Sequence, residues 1–166
     1  LNSTYSSLCL MVGRDTDSGL VICEIPAADL AKADSMDLEA DTKKAIGNNS
    51  SLISSRGTKA TSTAAKNNRN ATVEEGEQNL TIQMKQLYEN VLLKKSELQA
   101  AQTAFRKAEG QKKNADIKYS AGLLSQEEYL TEEMNYISQT ASYKAADLAF
   151  TQAADTYGWA VMGITQ

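Results

Sequence analysis

The segment KYSAGLLSQEEYL, residues 118–130, joins two long runs that both have the composition of helices. Gly122 can adopt the left-handed backbone conformation that commonly ends an α-helix. Ser125 can cap the helix that follows, and Glu128, three residues later, completes a capping box. This local chemistry predicts a tight turn between two antiparallel helices.

Two adjacent leucines, Leu123 and Leu124, are unusual at such a turn. The tip of a two-helix hairpin has little core that these side chains can enter. Either they fold back against their own helices, or they form an exposed apolar point that binds a partner. The sequence leaves both interpretations open.

The residues before the turn predict one long helix over 72–120. Its apolar residues alternate at spacings of three and four over about six heptads, the pattern of a helix packed lengthwise in a coiled coil. At about 1.5 Å per residue, this seam spans on the order of 70 Å. Glu77, Lys94 and Lys112 interrupt it, which favours partly hydrated packing or a change of partner. The seam residues are Val73, Leu80, Met84, Leu87, Val91, Leu98, Ala101, Phe105, Ala108, Ala115 and Tyr119.

The residues after the turn predict a return helix over 125–162. An aromatic residue recurs there at every seventh position, at Tyr129, Tyr136, Tyr143, Phe150 and Tyr157. One interpretation is a core stripe whose hydroxyl groups reach the edge of the seam. The other is an aromatic ladder that lines a channel or docks a partner. The repeat is flanked by Leu130, Met134, Ile137, Ala141 and Leu148.

The first 36 residues predict the end of a preceding helix followed by a connector, which includes the β-prone run LVICEIP at 20–26. Asp37 is a suitable N-cap for a short helix over 37–47. A weak helix is predicted over 51–67, with a break at 69–71.

Thr72 and Glu75 have the spacing of a capping box that would start the long helix. Residues 37–166 are therefore predicted to form one helical hairpin unit. The predicted fold class is all-α: a long antiparallel helical hairpin, or coiled coil, with shorter helices and a small irregular region.

Composition excludes several classes of function. The chain contains no histidine, which removes the commonest general base and the commonest zinc ligand. Its net charge is −4 with interspersed signs, which argues against nucleic-acid binding. We find no motif for catalysis, a cofactor or a metal, and expect a protein that is not an enzyme. Cys9 and Cys23 are either two buried apolar side chains or a disulfide.

Three stretches together resemble a known family. KYSAGLLSQEEYLTEEMNYISQTASYKAADLAFTQAADTYGWAVMG at 118–163 resembles the C-terminal repeat of TolC-type outer-membrane efflux proteins. LNSTYSSLCLMVGRDTD at 1–17 is similar to the helix end that closes the family's first repeat. DLEADTKKAIGNNSSL at 37–52 is similar to the short helix that opens the second repeat, with Ser50 and Ser51 where Pro-Glu is usual. Only one of the family's two repeats is covered.

The resemblance implies a component of an efflux or secretion duct in the cell envelope. In that family trimers form the duct, and the hairpin tips meet an envelope adaptor protein of the membrane-fusion type. The corresponding tip here is Tyr119, Ser120, Ala121, Gly122, Leu123, Leu124 and Ser125. A purely structural coiled-coil scaffold or spacer of the envelope is the alternative function.

One departure from the family concerns the membrane. Family members insert two membrane strands before the long descending helix, and such a strand needs roughly 9–11 residues of alternating polarity. The segment ISSRGTKATSTAAKNNRNAT at 53–72 has no such alternation and is too short for two strands. We therefore expect that this chain contributes no strand to a transmembrane β-barrel and has no direct membrane span. Either the barrel was excised, or the chain is a relative without one.

Overall fold

The computed structural model describes residues 2–15, 19–21 and 28–164, and it confirms the all-α fold class. The described residues contain no β-strand. Their helices are α1 Asn2–Met11, α2 Leu30–Asp34, α3 Leu38–Asn48, α4 Ser50–Gly57, α5 Thr63–Ser120 and α6 Gln126–Val161.

Helices α5 and α6 form the predicted antiparallel hairpin. Aromatic pairs along its length define the register. The Tyr119 and Tyr129 ring centroids lie 4.5 Å apart near the turn, and Tyr88 and Tyr157 lie 6.1 Å apart near the other end. The seam on α5 is confirmed, since its buried residues are Leu80, Met84, Val91, Leu98, Ala108 and Ala115.

The aromatic repeat of α6 faces α5, as the core-stripe interpretation expects. Phe150 and Tyr157 are buried, and the three tyrosines nearer the turn are half-buried. The Tyr157 hydroxyl lies at the edge of the seam and donates a hydrogen bond to Asp41, at 3.1 Å. Burial and this hydrogen bond raise the pKa of Tyr157 well above its ordinary value of 10.0, so the phenol remains protonated.

The short helices pack against the end of the hairpin opposite the turn. Ala33, Ala45 and Leu52 enter one core with the buried residues of α5 and α6. The Asn48 side chain donates to the carbonyl oxygen of Val161 at 3.0 Å, which ties the end of α3 to the end of α6. The α2–α4 group therefore braces the base of the hairpin.

The predicted start of the long helix is wrong. The chain is non-helical at 58–62 rather than at 69–71, and the Ser62 side chain accepts from the backbone N–H of Ala65 as the N-cap of α5. Thr72 lies inside the helix, where its hydroxyl donates to the Asn68 carbonyl at 3.0 Å. Arginine, asparagine and alanine do not end a helix by themselves, whereas Ser62 supplies the side-chain acceptor that starts one. The predicted weak helix over 51–67 is consequently divided between α4 and the first turn of α5.

The connector differs from its prediction at one point. The short helix α2 lies within it, because the Asp29 side chain accepts from the N–H of Ala31 and caps the first turn. The short helix predicted over 37–47 is confirmed as α3, with Asp37 as N-cap. Leu20 and Val21 are not in a strand, and the rest of the β-prone run is outside the described residues.

Only one of the two cysteines is among the described residues. Cys9 is fully buried and carries a free thiol, which fits the interpretation of a small apolar side chain. Cys23, the other residue of the alternative disulfide, is outside the described residues.

The close contact between the ends of α3 and α6 gives the first testable prediction. Gly163 has φ +84°, and a Cβ there would lie less than 3.0 Å from the Asn48 carbonyl oxygen. We expect Gly163→Ala to lower the free energy of unfolding by at least about 1–2 kcal/mol, because left-handed backbone is strained for alanine and the contact adds to it. Urea unfolding followed by circular dichroism measures the change.

Gly110→Ala is the matched control. Gly110 lies within α5, and nothing occupies the space that its Cβ would enter. Alanine should stabilise that helix by about 0.5–1 kcal/mol. Equal effects of the two substitutions would contradict the contact at Gly163.

Candidate functional site

The turn between α5 and α6 is built from backbone hydrogen bonds that follow the Schellman motif. The N–H of Leu123 donates to the Lys118 carbonyl at 2.8 Å, and the N–H of Gly122 donates to the Tyr119 carbonyl at 3.0 Å. Gly122 has φ +71°, the left-handed conformation predicted for it. These bonds hold the carbonyl end of α5 and reverse the chain within a few residues.

The first turn of α6 is held by the predicted capping box. The Ser125 hydroxyl and backbone N–H both donate to the Glu128 carboxylate, at 2.7 and 3.0 Å. The N–H of Glu128 donates in return to the Ser125 hydroxyl oxygen at 3.3 Å. These bonds, from the hydroxyl first and then the backbone N–H, lower the pKa of Glu128 below its ordinary value of 4.5.

The two leucines at the turn have different environments. Leu123 is 76% exposed, whereas Leu124 is half-buried beside the hairpin. Leu124 lines a shallow cleft of about 230 Å³ together with Gln111, Asn114, Ala115, Lys118 and Glu132. Leu124 therefore folds back against the hairpin, as the first interpretation expects, whereas Leu123 is exposed and its binding of a partner stays a prediction.

A polar cluster lies in the seam directly behind the turn. Lys112 donates to the Tyr129 hydroxyl at 2.9 Å and forms an ion pair with Asp116, and its side chain is only 17% exposed. The hydrogen bonds to Asp116 and then to Tyr129 raise the pKa of Lys112 well above its ordinary value. The bond to Lys112 also lowers the pKa of Asp116. A charged seam position satisfied in one alignment of the helices favours that register over others.

The other two charged seam positions also have partners. Glu77 pairs with Arg56 of α4 at 2.8 Å, and Lys94 pairs with Glu97 one turn along α5 at 2.8 Å. At Glu77 the seam changes partner, as the sequence suggested, because α4 rather than α6 supplies the opposite charge.

The structure brings the predicted tip residues together at one end of the hairpin. Tyr119 stacks on Tyr129 with part of its ring exposed. Ser120, Ala121, Gly122, Leu123 and Ser125 are exposed around it, and Leu124 lies in the cleft. Sequence reasoning missed Lys118 and Glu132 as walls of the cleft and Lys112 as a bond donor to Tyr129. The four-residue spacing of Lys112 and Asp116 was the one signal available for that cluster.

The described residues include no group of three or more cysteine, aspartate or glutamate side chains placed to hold a metal ion. Within the same residues, no helix combines the length and the apolar character required to cross a membrane. The tip presents an apolar side chain on a rigid support, an arrangement suited to binding.

Comparisons with protein-family models, with curated proteins and with solved structures find no match to this chain.

The polar cluster gives the second testable prediction. We expect Tyr129→Phe to lower the free energy of unfolding by about 1 kcal/mol, because it removes the hydroxyl that accepts from Lys112 and keeps the stacked ring. Tyr119→Phe is the control, because its ring is in the same stack and more exposed. Urea unfolding of both variants provides the comparison. Equal losses would show that the Lys112 bond does not stabilise the seam.

The capping box gives the third prediction, in the dependence of stability on pH. Because the pKa of Glu128 is lower in the folded protein, its ionised form stabilises the turn above pH 4.5, and this contribution is lost as the pH falls through the folded pKa. Glu128→Gln should therefore be less stable than the wild type at neutral pH, and the difference should close in acid. Thermal unfolding across this pH range measures it.

Glu127→Gln is the control for this pH dependence. Glu127 lies in the same first turn, near the positive end of the helix dipole, and its carboxylate has no hydrogen bond or ion pair within the described part of the chain. Its substitution should have a smaller effect on stability than that of Glu128. A difference for Glu128→Gln that persists unchanged at low pH would contradict the role of the ionised capping box.

Proposed function

We propose that this chain is a non-enzymatic helical stalk of an efflux or secretion apparatus in the cell envelope, and that its hairpin tip docks an adaptor protein. The observation that carries the proposal is the exposed Leu123 on a turn held by the bonds of both flanking helices. The resemblance to TolC-type efflux proteins supplies the kind of partner.

The physical case for docking is preorganisation. The turn is held by the Schellman bonds, the capping box and the stacked pair Tyr119 and Tyr129, so that binding orders little additional backbone. Leu123 is an apolar anchor, and the neighbouring cleft offers Lys118 and Glu132 as polar groups at its edge. A partner tip with an apolar pocket and polar rim complements this surface.

The fourth prediction tests the tip directly. Leu123→Asp should weaken binding of the purified adaptor at least about tenfold, because the substitution places a charge in the centre of the contact. The measurement is titration of a purified adaptor protein against the immobilised chain. The adaptor is one encoded next to an exporter gene in the same genome. Ile53→Asp is the control, since Ile53 is an exposed apolar residue of α4 at the base. Equal affinity of both variants and the wild type would remove the docking proposal.

A structural scaffold or spacer of the envelope is the second candidate. It is favoured by the hairpin's length, roughly 54 Å for the 36 residues of α6, and by the lack of a metal cluster in the described residues. Genes for an exporter ATPase and an adaptor beside this one favour the stalk. An isolated gene with surface-anchor signals favours the scaffold.

A further inference from the structure

A shallow groove runs along α5 at the base of the hairpin. It consists of two clefts, of about 200 and about 490 Å³, and Glu74 and Glu77 line both of them. Because the two clefts share these residues, they form one continuous surface. We call this surface the base groove and define it by Ile46 of α3, Arg56 of α4, and Arg69, Glu74, Glu77 and Ile82 of α5.

The base groove lies beyond the end of α6. With Tyr88 level with Tyr157, the last residue of α6, Val161, lies near the height of Met84. Helix α4 covers one side of α5 here, since a Cβ on Gly76 would lie 2.7 Å from the Leu52 side chain. The adjoining side of α5 carries the groove. From Arg69 to Ile82 this stretch spans on the order of 20 Å, which is enough for a further helix of three to four turns.

The base groove changes character along its length. At one end it is apolar, because Ile82 is 57% exposed beside the half-buried Ile46. Glu74, about two turns of α5 nearer the N-terminus, is exposed and takes part in no ion pair within the described residues. The middle of the groove therefore carries an unneutralised negative charge.

The other end of the groove is basic. The Arg69 guanidinium donates to the Thr58 carbonyl and to the Asn70 side chain, at 3.1 Å each, and both acceptors are uncharged. No carboxylate pairs with Arg69 in the part of the chain that the structure describes. Arg56 and Glu77, in contrast, neutralise each other at 2.8 Å. The groove thus presents an apolar, a negative and a positive group in that order.

This order of groups selects the chemistry of the occupant. An apolar side chain complements Ile46 and Ile82, a basic one complements Glu74, and an acidic one complements Arg69. An amphipathic helix presents all three along one face when the basic residue follows the apolar one by two turns and the acidic residue follows by one more.

The helix dipole sets the direction of this occupant. The C-terminal end of a helix carries partial negative charge, which is stabilised by a nearby cation. Arg69 supplies that cation at one end of the base groove. The occupant therefore ends near Arg69 and begins near Ile82, so that it runs antiparallel to α5.

We propose that the base groove binds an amphipathic helix of a partner protein, antiparallel to α5, with an apolar side chain on Ile46 and Ile82. Its basic residue pairs with Glu74 and its acidic residue with Arg69. The contact lies at the end of the hairpin opposite the tip, so the chain can hold two partners at once. It goes beyond the docking function proposed above and does not depend on it.

The probes are two synthetic alanine-based peptides, stapled into a helix on the outer face and labelled with a fluorophore. The matched peptide carries leucine in its first turn, lysine two turns later and glutamate one turn after that. The exchanged peptide has the lysine and the glutamate interchanged. Fluorescence anisotropy with the full chain should show at least about tenfold tighter binding of the matched peptide. No binding, or equal binding of the two peptides, would overturn the proposal.

Substitution of Ile82 tests the apolar end of the groove. Ile82→Asp should weaken binding of the matched peptide at least about tenfold, because it places a charge where the leucine is buried. Ile53→Asp is the matched control, since Ile53 is 53% exposed on α4 and does not line the groove. Circular dichroism verifies that both variants are folded. Equal effects of the two substitutions would contradict the proposed contact.

A charge reversal tests the middle of the groove. Glu74→Lys should weaken binding of the matched peptide and strengthen binding of a peptide in which glutamate replaces the lysine, a gain that loss of structure does not produce. Glu75→Lys is the control, because it makes the same change of charge at an exposed neighbour that does not line the groove. An equal response of the two variants would show that only net charge matters, and would overturn the assignment of Glu74.

Two further measurements distinguish other occupants. Analytical ultracentrifugation of the wild type and of Ile82→Asp tests for a second copy of the chain in the groove, and cosedimentation with phosphatidylcholine vesicles tests for a lipid surface. Association in either assay that Ile82→Asp abolishes would overturn the proposal. Leu123→Asp should leave binding of the matched peptide unchanged, which separates the base groove from docking at the tip.

Discussion

The lengthwise packing of α5 on α6 is the interaction on which the rest of the structure depends. Among the residues that the structure describes, no other pair of helices is in contact over such a length, and these two share the buried core from Leu80 to Tyr157. An isolated helix gains little stability in water from propensity alone, so α5 depends on its buried seam. The short helices then take their positions from the hairpin, because their buried residues Ala33, Ala45 and Leu52 enter its core. The position of the tip follows from the same packing.

The sequence predicts the hairpin well because the signals that define it are local. Gly122, Ser125 and Glu128 predict the turn from patterns only a few residues long. The heptad spacing of apolar residues predicts the seam. The predicted start of α5 was nine residues too late, because two residues suited to capping, Ser62 and Thr72, lie in this region. Both residues have a side-chain oxygen suited to capping, so cap chemistry alone does not decide between them. Helix α2 was not predicted, because five residues carry almost no periodicity.

The candidate site was predictable in position but less so in detail. The seven tip residues lie together, yet the sequence could not separate an exposed Leu123 from a half-buried Leu124. That distinction depends on the side of the hairpin on which the cleft with Lys118 and Glu132 opens. The exposed apolar residues of α6, which include Met134 and Ile137, show the same limit. Heptad spacing identifies apolar positions on α6, but two faces of one helix have the same period, and only the three-dimensional pairing shows which of them α5 covers.

Helix α5 extends beyond its partner at the base. With Tyr88 level with Tyr157, the last residue of α6, Val161, lies near the height of Met84, and the twenty or so residues of α5 that precede this point contact α3 and α4 instead. The length of the hairpin and the packing at its base are thus separate properties of the chain. A heptad added to both helices between tip and base would advance the tip by about 10 Å while keeping every side chain on its original face. The length of the hairpin can therefore change while its base stays the same.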